Sequence, residues 1–253
     1  MASDEARIRG RLNAGSATPV CEWKASGWLH GSVPTCKVQG RKKPWFETEV
    51  LSALRSAIQQ ACACGSAPYR RGMPEPQPIC TIGHSTRTIP EFVDLLRTAS
   101  VRFVVDIRSV PRSRTNPQYN LNALPQELAS YQIGHAQIPE LGGLRKKSKV
   151  VAPKANGFWT NQSFHNYADY ALSDEFHRGL SQLLEISTDR RCAIMCSEAV
   201  WWRCHRRIVA DYLLQRGEVV FHLMGRDRVE PAKLNAAATE LDGKLLYPAG
   251  SAE

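Results

Sequence analysis

The sequence predicts an α/β protein with a mostly parallel, doubly wound sheet of about five strands and helices on both faces. Two observations lead to this fold class. From Pro78 onward, short apolar runs rich in β-branched residues alternate with stretches whose apolar residues recur at helical spacing. Such alternation is typical of βαβ units, whose strands lie parallel in one sheet. We therefore assign residues 73–253 to one α/β domain.

Five apolar runs are predicted to be strands, and they cover residues 78–83, 101–107, 133–139, 192–196 and 218–223. The run at 192–196 has the continuous apolar character of a strand that is buried on both faces. Cys80 and Cys192 fit this pattern as small apolar residues within strands.

The helices are predicted from apolar stripes and from capping residues. Thr88 is a suitable N-cap, and Pro90 suits the first turn of the helix that follows. Residues 163–186 read as two helices broken near Ser173. Three more helices are expected. The first covers about residues 122–131, and the third lies around residues 232–240. The second follows Trp202 and carries Cys204 on its apolar face.

Residues 1–72 differ in composition from the rest of the chain. They are rich in Gly, Ser, Pro and basic residues, and they carry 11 Lys/Arg against 5 Asp/Glu. We predict a poorly ordered basic extension with one helix at 47–62, and we hypothesise that translation begins at Met73. The spacing of Cys21, Cys36, Cys62 and Cys64 matches no familiar zinc pattern.

Bulk properties narrow the class of protein. No apolar run reaches the roughly 18 residues that a membrane span needs, and no signal peptide is evident, so a cytoplasmic protein without membrane contact is expected. The eight cysteines follow no disulfide framework, so reduced thiols are expected. Residues 101–160 hold 9 basic and 3 acidic groups, a local charge of +6 that predicts binding of an anion.

Polar and reactive side chains follow each predicted strand. Because the carboxyl ends of parallel strands share one edge, where ligands of such sheets bind, we expect a common site. Its members are His84, Ser85, Asp106, Arg108, Gly142, Gly143, Cys196, Glu198 and His222, with His205 and Arg206 from the helix after the fourth strand.

Five motifs resemble a known family. They are Thr81 to Ser85, Asp106 to Ser113, Leu141 to Gly143, Tyr167 to Tyr170 and Cys196 to Arg206, and they are similar to the domain of unknown function 488 family of bacterial and archaeal proteins. The likeness covers about residues 79–224. It implies an α/β fold and a cytoplasmic setting, and it brings no reaction with it.

The catalytic candidates are Cys196, Glu198, His205 and Asp106. A thiol between a strand end and a helix N-terminus lies where the thiolate is favoured, although Cys196 could equally finish the strand as an apolar residue. His205 and Glu198 could carry protons, or Glu198 could cap the helix.

The anion-binding candidates are of two kinds. Arginine suits two-point binding of phosphate, and glycine or short polar residues leave backbone N–H groups accessible. They are His84, Ser85, Arg108, Arg112, Gly142, Gly143 and Arg206. No cofactor is predicted. We also predict no metal, because Cys204 and His205 would point about 100° apart on one helix, and a site of Cys196 with one of them plus His84, Asp106 or His222 would have too few obvious ligands.

Three functions remain open. The first is an enzyme that acts on a phosphate-bearing substrate, a nucleotide or nucleic acid, with Cys196 as its thiol. The second is a non-catalytic nucleic-acid-binding protein that uses Lys146, Lys147 and Lys149. The third is a redox sensor in which Cys196 pairs with Cys204.

Overall fold

The computed structural model describes residues 77–226 and 228–250. The predicted extension at 1–72, its helix and Met73 lie outside the described residues. The described elements, in chain order, are β1 (Ile79–Gly83), α1 (Ile89–Thr98), β2 (Phe103–Asp106), α2 (Leu124–Ala129), β3 (Gly134–Gln137), α3 (Gln162–Ala171), α4 (Asp174–Ser187), β4 (Cys192–Cys196), α5 (Arg206–Gln215), β5 (Val220–Gly225), β6 (Arg228–Pro231), β7 (Thr239–Leu241) and β8 (Lys244–Leu246). Four short 3-10 helices connect them at Pro117–Tyr119, Pro139–Leu141, Pro153–Asn156 and Trp201–Arg203.

The main sheet has the order β3-β2-β4-β1-β5-β6. Strands β1 to β5 run parallel, as the sequence predicts, and β6 adds an antiparallel edge strand that the sequence analysis did not find. Strand β4 lies between β1 and β2, so it is buried on both sides within the sheet. The most apolar run of the sequence therefore occupies a central position.

Helices cover both faces of the sheet and form two apolar cores. One core packs Ile194 and Val105 against α3, α4 and α5. The other packs Met195 and Val104 against α1 and α2. Successive residues of β4 and β2 thus point to opposite faces, each into its own core.

The predicted Thr88 cap and the predicted break near Ser173 are both confirmed. Thr88 caps α1 through a capping box in which its hydroxyl accepts from the Glu91 N–H and its own N–H donates to the Glu91 carboxylate. Ser173 separates α3 from α4 and accepts from the Phe176 N–H, so the break in the 163–186 region lies where the sequence predicted it.

Two predicted helices are corrected. The segment 232–240 is a turn followed by β7, because Asn235 binds Asp211 through its N–H and holds the Ala237 N–H with its side-chain oxygen. The helix after Trp202 begins only at Arg206. Cys204 has extended backbone, with φ −128° and ψ 148°, because its N–H closes the preceding 3-10 turn.

None of the helices within residues 77–226 and 228–250 is long and apolar enough to cross a membrane.

Candidate functional site

The ends of three adjacent strands are tied together by backbone hydrogen bonds. Gly83 of β1 is in register with Cys196 of β4, and the His84 N–H beyond it donates to the Cys196 carbonyl at 2.9 Å. On the other side, the Ile107 N–H donates to the Met195 carbonyl at 3.1 Å. The polar residues that follow β1, β2 and β4 are therefore neighbours at one edge of the sheet.

A close backbone crossing shapes this edge. A Cβ atom on Gly83 would lie 1.9 Å from the Glu198 carbonyl oxygen, well inside van der Waals contact. Glycine at position 83 therefore allows the chain leaving β4 to pass directly over the end of β1.

Two thiols and an imidazole meet at this edge, and we call Cys196, Cys204 and His205 the thiol cluster. Their ligand atoms all lie within 4.8 Å of one another. His205 Nδ1 is 3.6 Å from Cys204 Sγ and 4.0 Å from Cys196 Sγ. The two thiol side chains are nearly buried, with 8% of Cys196 and 4% of Cys204 exposed, so reagents have only narrow access to the cluster.

The orientation of the His205 ring is set by its surroundings. Its Nε2 lies 3.1 Å from the Ile107 carbonyl, which can only accept, so Nε2 carries the proton and Nδ1 presents a lone pair to the thiols. Gly143 packs against the ring, where a Cβ would come within 2.4 Å of Nδ1. The Tyr167 ring meets the imidazole edge to face at 5.0 Å.

A fully buried arginine accompanies the cluster. Arg206 Nε donates to Cys204 Sγ at 3.3 Å, and its Nη2 donates to the Glu198 carbonyl. This arginine was expected to bind an anion from outside. Because Arg206 is buried, its nearest partner with anionic character is instead the Cys204 sulfur.

The pKa values of the two thiols shift in opposite directions. Burial raises the pKa of Cys204, but the hydrogen bond with Cys196 and the charge of Arg206 outweigh burial, so the pKa falls below the ordinary value. The pKa of Cys196 is raised, because its thiol hydrogen-bonds to Cys204 and is itself buried. These shifts favour the thiolate at Cys204 over Cys196, the thiol that the sequence analysis singled out.

A second buried network lies beside the cluster. Asp106 is completely buried and accepts from Arg108 Nε at 2.9 Å and from Arg108 Nη2 at 2.6 Å. Arg108 also donates to the Tyr119 carbonyl, and its Nη1 lies 3.2 Å from His84 Nε2. Asp106 and Arg108 thus neutralise each other inside the protein, and neither faces a ligand as the sequence analysis expected.

His84 is neutral within this network. Burial lowers its pKa to about 4, although the hydrogen bond from Nδ1 to the Ser85 carbonyl works in the opposite direction. Its ring stacks on Tyr119 with centroids 4.1 Å apart. His84 therefore accepts from Arg108 and supplies no positive charge for an anion.

His222 lies on β5, which β1 separates from β4 and the cluster. Its Nδ1 is 2.8 Å from the Thr81 hydroxyl, and its ring stacks on Trp201 at 4.3 Å. Burial lowers its pKa to about 4. Because β5 continues to Gly225, His222 is inside the strand rather than at its end.

The remaining residues of the predicted site lie in different environments. Ser85 adopts a left-handed backbone with φ 51°, and the Gly142 N–H already donates to the Pro139 carbonyl. Arg112 is exposed on the loop after β2. Glu198 does not cap α5, whose N-terminus has no side-chain cap.

Cys204 and His205 do not share a helix, contrary to the prediction that excluded a metal. Both residues precede α5, and the extended backbone of Cys204 brings its sulfur within 3.6 Å of His205 Nδ1. Zinc commonly takes two thiolates and one imidazole in proteins, so the thiol cluster has the donor set of a metal site.

Sequence reasoning missed several residues that build the site. Gly83, Tyr119 and Tyr167 act by shape and by stacking, which no local pattern reveals. Cys204 was predicted only as the partner of Cys196 in a redox sensor, although adjacent Cys and His residues that follow another Cys by eight positions are a usable signal of a shared site.

A match to the family described as Domain of unknown function DUF488 covers residues 88–213, about half of the chain. The chain belongs to this family. The DUF488 match contains Asp106, Arg108 and the whole thiol cluster, so the centre of the site lies within the shared part. His84, Ser85 and His222 lie outside the matched residues. No curated protein and no solved structure showed significant similarity to the chain.

Proposed function

We propose that this DUF488 protein is an enzyme whose reaction centre is the thiol cluster and whose substrate carries phosphate. The observation that carries the proposal is the meeting of Cys196, Cys204 and His205 at the carboxyl edge of the sheet, with His205 Nδ1 3.6 Å from Cys204 Sγ. Ligands of parallel α/β sheets bind at this edge.

The Cys204 sulfur supplies the reactive group. A thiolate is both a nucleophile and a metal ligand, and the Arg206 N–H at 3.3 Å stabilises that form of Cys204. The His205 lone pair next to it can accept a proton from a thiol or from a bound reactant. A purely structural cysteine needs neither of these partners.

The substrate class follows from the surrounding charge. Two loops at this edge contact each other, since the Leu144 N–H donates to the Ser109 hydroxyl at 2.9 Å. The first loop exposes Arg112 and Arg114, and the second exposes Lys146, Lys147 and Lys149. Because Arg108 and Arg206 are occupied inside the protein, these exposed groups are the proposed contacts for a nucleotide or a nucleic acid.

The enzyme proposal is tested by screening nucleotides and single-stranded oligonucleotides for turnover. We expect Cys204→Ser to abolish turnover of the active compound, while Cys80→Ser retains it, because the Cys80 thiol is buried within β1. Turnover that survives Cys204→Ser would overturn the reaction centre.

A second candidate, the non-catalytic nucleic-acid-binding protein, is favoured by the same exposed bases. It shares the prediction that Lys146→Gln, Lys147→Gln and Lys149→Gln together weaken oligonucleotide binding and lower its salt slope by up to about 2. Lys233→Gln, exposed elsewhere, serves as the control. Binding lost in the triple variant, with no turnover by the wild type and no effect of Cys204→Ser, would favour this candidate over the enzyme.

A third candidate, the redox sensor, is favoured by the closeness of the two cluster sulfurs, which lie within 4.8 Å of each other. Mild oxidation followed by mass analysis of peptides distinguishes it, because a sensor would form a Cys196–Cys204 disulfide that a reductant reverses.

A further inference from the structure

We propose that Cys196, Cys204 and His205 bind one zinc ion through three protein ligands, with a fourth position left for water or substrate. The inference deepens the proposed function by naming the metal of its reaction centre, and it relies on that function only for the use of the fourth position. With zinc bound, Cys204 and His205 would serve as ligands rather than as nucleophile and proton acceptor.

The distances within the cluster fit tetrahedral zinc. Typical Zn–S and Zn–N bonds place a ligand nitrogen about 3.6 Å from a ligand sulfur, and two ligand sulfurs about 3.8 Å apart. His205 Nδ1 lies 3.6 Å and 4.0 Å from the two Sγ atoms. All three donor atoms lie within 4.8 Å of one another, so a zinc ion could reach them with small side-chain movements.

The protonation of His205 matches that of a metal ligand. A ligating histidine usually donates its other ring N–H to a carbonyl or carboxylate, which fixes the tautomer and the ring orientation. His205 Nε2 makes this contact with the Ile107 carbonyl at 3.1 Å. The Nδ1 lone pair is thereby directed at the two sulfurs before any metal arrives.

The charge of the site also suits a divalent cation. Zn²⁺ with two thiolates is neutral, so it can occupy this nearly buried edge without adding net charge. Arg206 would not bind the zinc ion itself. Its N–H would donate a hydrogen bond to the ligand sulfur of Cys204, as is common around metal thiolates. Soft sulfur ligands favour zinc over magnesium or calcium.

The fourth ligand distinguishes the kind of zinc site. Structural zinc sites use four protein ligands, whereas catalytic sites use three and keep one position open. Within residues 77–226 and 228–250, the only group of three or more Cys, His, Asp or Glu side chains with this spacing consists of Cys196, Cys204 and His205. The geometry therefore points to the open type.

The test is zinc binding by the full chain under reducing conditions. Because Cys21, Cys36, Cys62 and Cys64 lie outside the described residues, the background protein carries serine at all four positions. Metal content is measured after purification, and the metal-free protein is then titrated with zinc chloride against a chromophoric chelator. We expect one zinc ion per chain.

The variants locate the ion. Cys196→Ser, Cys204→Ser and His205→Gln should each weaken zinc binding by about 100-fold or more, because each removes a ligand. Cys80→Ser and Cys192→Ser, buried thiols within strands, should leave the affinity unchanged. Circular dichroism of each metal-free variant checks that a loss of binding is not a loss of folding.

Substitution with Co²⁺ gives a second readout. Sulfur-ligated tetrahedral cobalt has intense visible and charge-transfer absorption, which should disappear in the Cys204→Ser variant and persist in Cys80→Ser.

Two results would overturn the zinc site. One is a folded, reduced protein that takes up no zinc, and the other is stoichiometric zinc that survives both Cys204→Ser and His205→Gln. The proposed function fails separately: zinc bound as expected, together with turnover that survives Cys204→Ser, refutes the reaction centre and keeps the metal. Turnover that depends on Cys204 in protein without zinc refutes the metal site and keeps the reaction centre.

Discussion

The cysteines of the described residues form two pairs that differ in their neighbours. Cys80 and Cys192 lie within β1 and β4, and burial raises the pKa of each to about 12. Cys196 and Cys204 lie at the carboxyl edge, where an imidazole lone pair and a buried guanidinium contact them. All four are buried, so burial alone does not separate them.

These different neighbours show that the edge and the body of the sheet are stabilised in different ways. In the body, apolar side chains pack in two cores, and a thiol is one more apolar group there. At the edge, buried polar groups are stabilised by one another: Asp106 by Arg108, and Cys204 by Arg206. Removing one member of such a pair leaves its partner buried without compensation. The following predictions test this contrast, from the largest expected effect to the smallest.

The largest effect is expected from Asp106→Asn. The change keeps the shape of the side chain but leaves the Arg108 guanidinium buried without a counter-charge. We expect the free energy of unfolding to fall by about 3–5 kcal/mol, measured by urea denaturation. Asp189→Asn is the control, because the Asp189–Arg190 pair is exposed to solvent and its loss should change the free energy of unfolding far less. Equal effects would contradict the contrast.

Acid should destabilise the protein through His222. Its folded pKa of about 4 lies below the ordinary 6.5, so its contribution to stability is present above pH 6.5 and is lost as the pH falls toward 4. Between pH 7 and pH 5 this loss amounts to about 2 kcal/mol. Chemical denaturation at pH 7 and pH 5 measures this loss. In the His222→Gln variant, the fall in the free energy of unfolding between the two pH values should be smaller by about 2 kcal/mol.

Asp211 provides a control of opposite sign. Burial raises its pKa to about 6 from 3.8, so its contribution is present below pH 3.8 and is lost as the pH rises through 6. Asp211→Asn should therefore steepen the acid destabilisation that His222→Gln reduces. A pH profile that moves the same way in both variants would refute the assignment.

Gly143→Ala should damage the thiol cluster selectively. The new Cβ would meet His205 Nδ1 at 2.4 Å, so the imidazole must leave its present position beside the sulfurs. We expect zinc affinity to fall by about 10-fold or more, which corresponds to about 1.4 kcal/mol. Gly225→Ala, where a Cβ meets nothing within 4 Å, should bind zinc as the wild type does. Unchanged affinity in Gly143→Ala would argue against His205 as a ligand.

The smallest effect on stability is expected from the exposed lysines. Lys146→Gln, Lys147→Gln and Lys149→Gln should each change the free energy of unfolding by less than about 0.5 kcal/mol, because these side chains extend into solvent. Thermal melts of the single variants measure this. A larger loss would mean that the loop contributes to the fold, and any loss of oligonucleotide binding could then no longer be assigned to charge alone.

Much of the fold was accessible from local patterns. The five parallel strands, the Thr88 cap and the break at Ser173 each depend on residues adjacent in sequence, so periodicity and capping rules identify them. The segment 232–240 was predicted as a helix because its apolar spacing is helical. Its turn depends on Asp211, which is far away in sequence.

The candidate site was accessible only in part. The rule that parallel strands end at one edge brought His84, Asp106 and Cys196 together in the prediction, and hydrogen bonds between these segments occur in the structure. The sequence could not reveal that Arg108 and Arg206, which were predicted to bind an anion, already have partners inside the protein. Arg108 donates to Asp106, and Arg206 donates to the Cys204 sulfur.

The sequence by itself determined the order of strands and helices and the reactive residues at the carboxyl edge, because both are written in local spacing and residue type. The tertiary structure alone fixed which groups are partners: the Arg206 guanidinium with the Cys204 sulfur, the His205 imidazole with two sulfurs, and Asp106 with Arg108. Those partnerships depend on distances of a few ångströms between segments up to about a hundred residues apart, such as Ile107 and His205, and on burial that strengthens each contact.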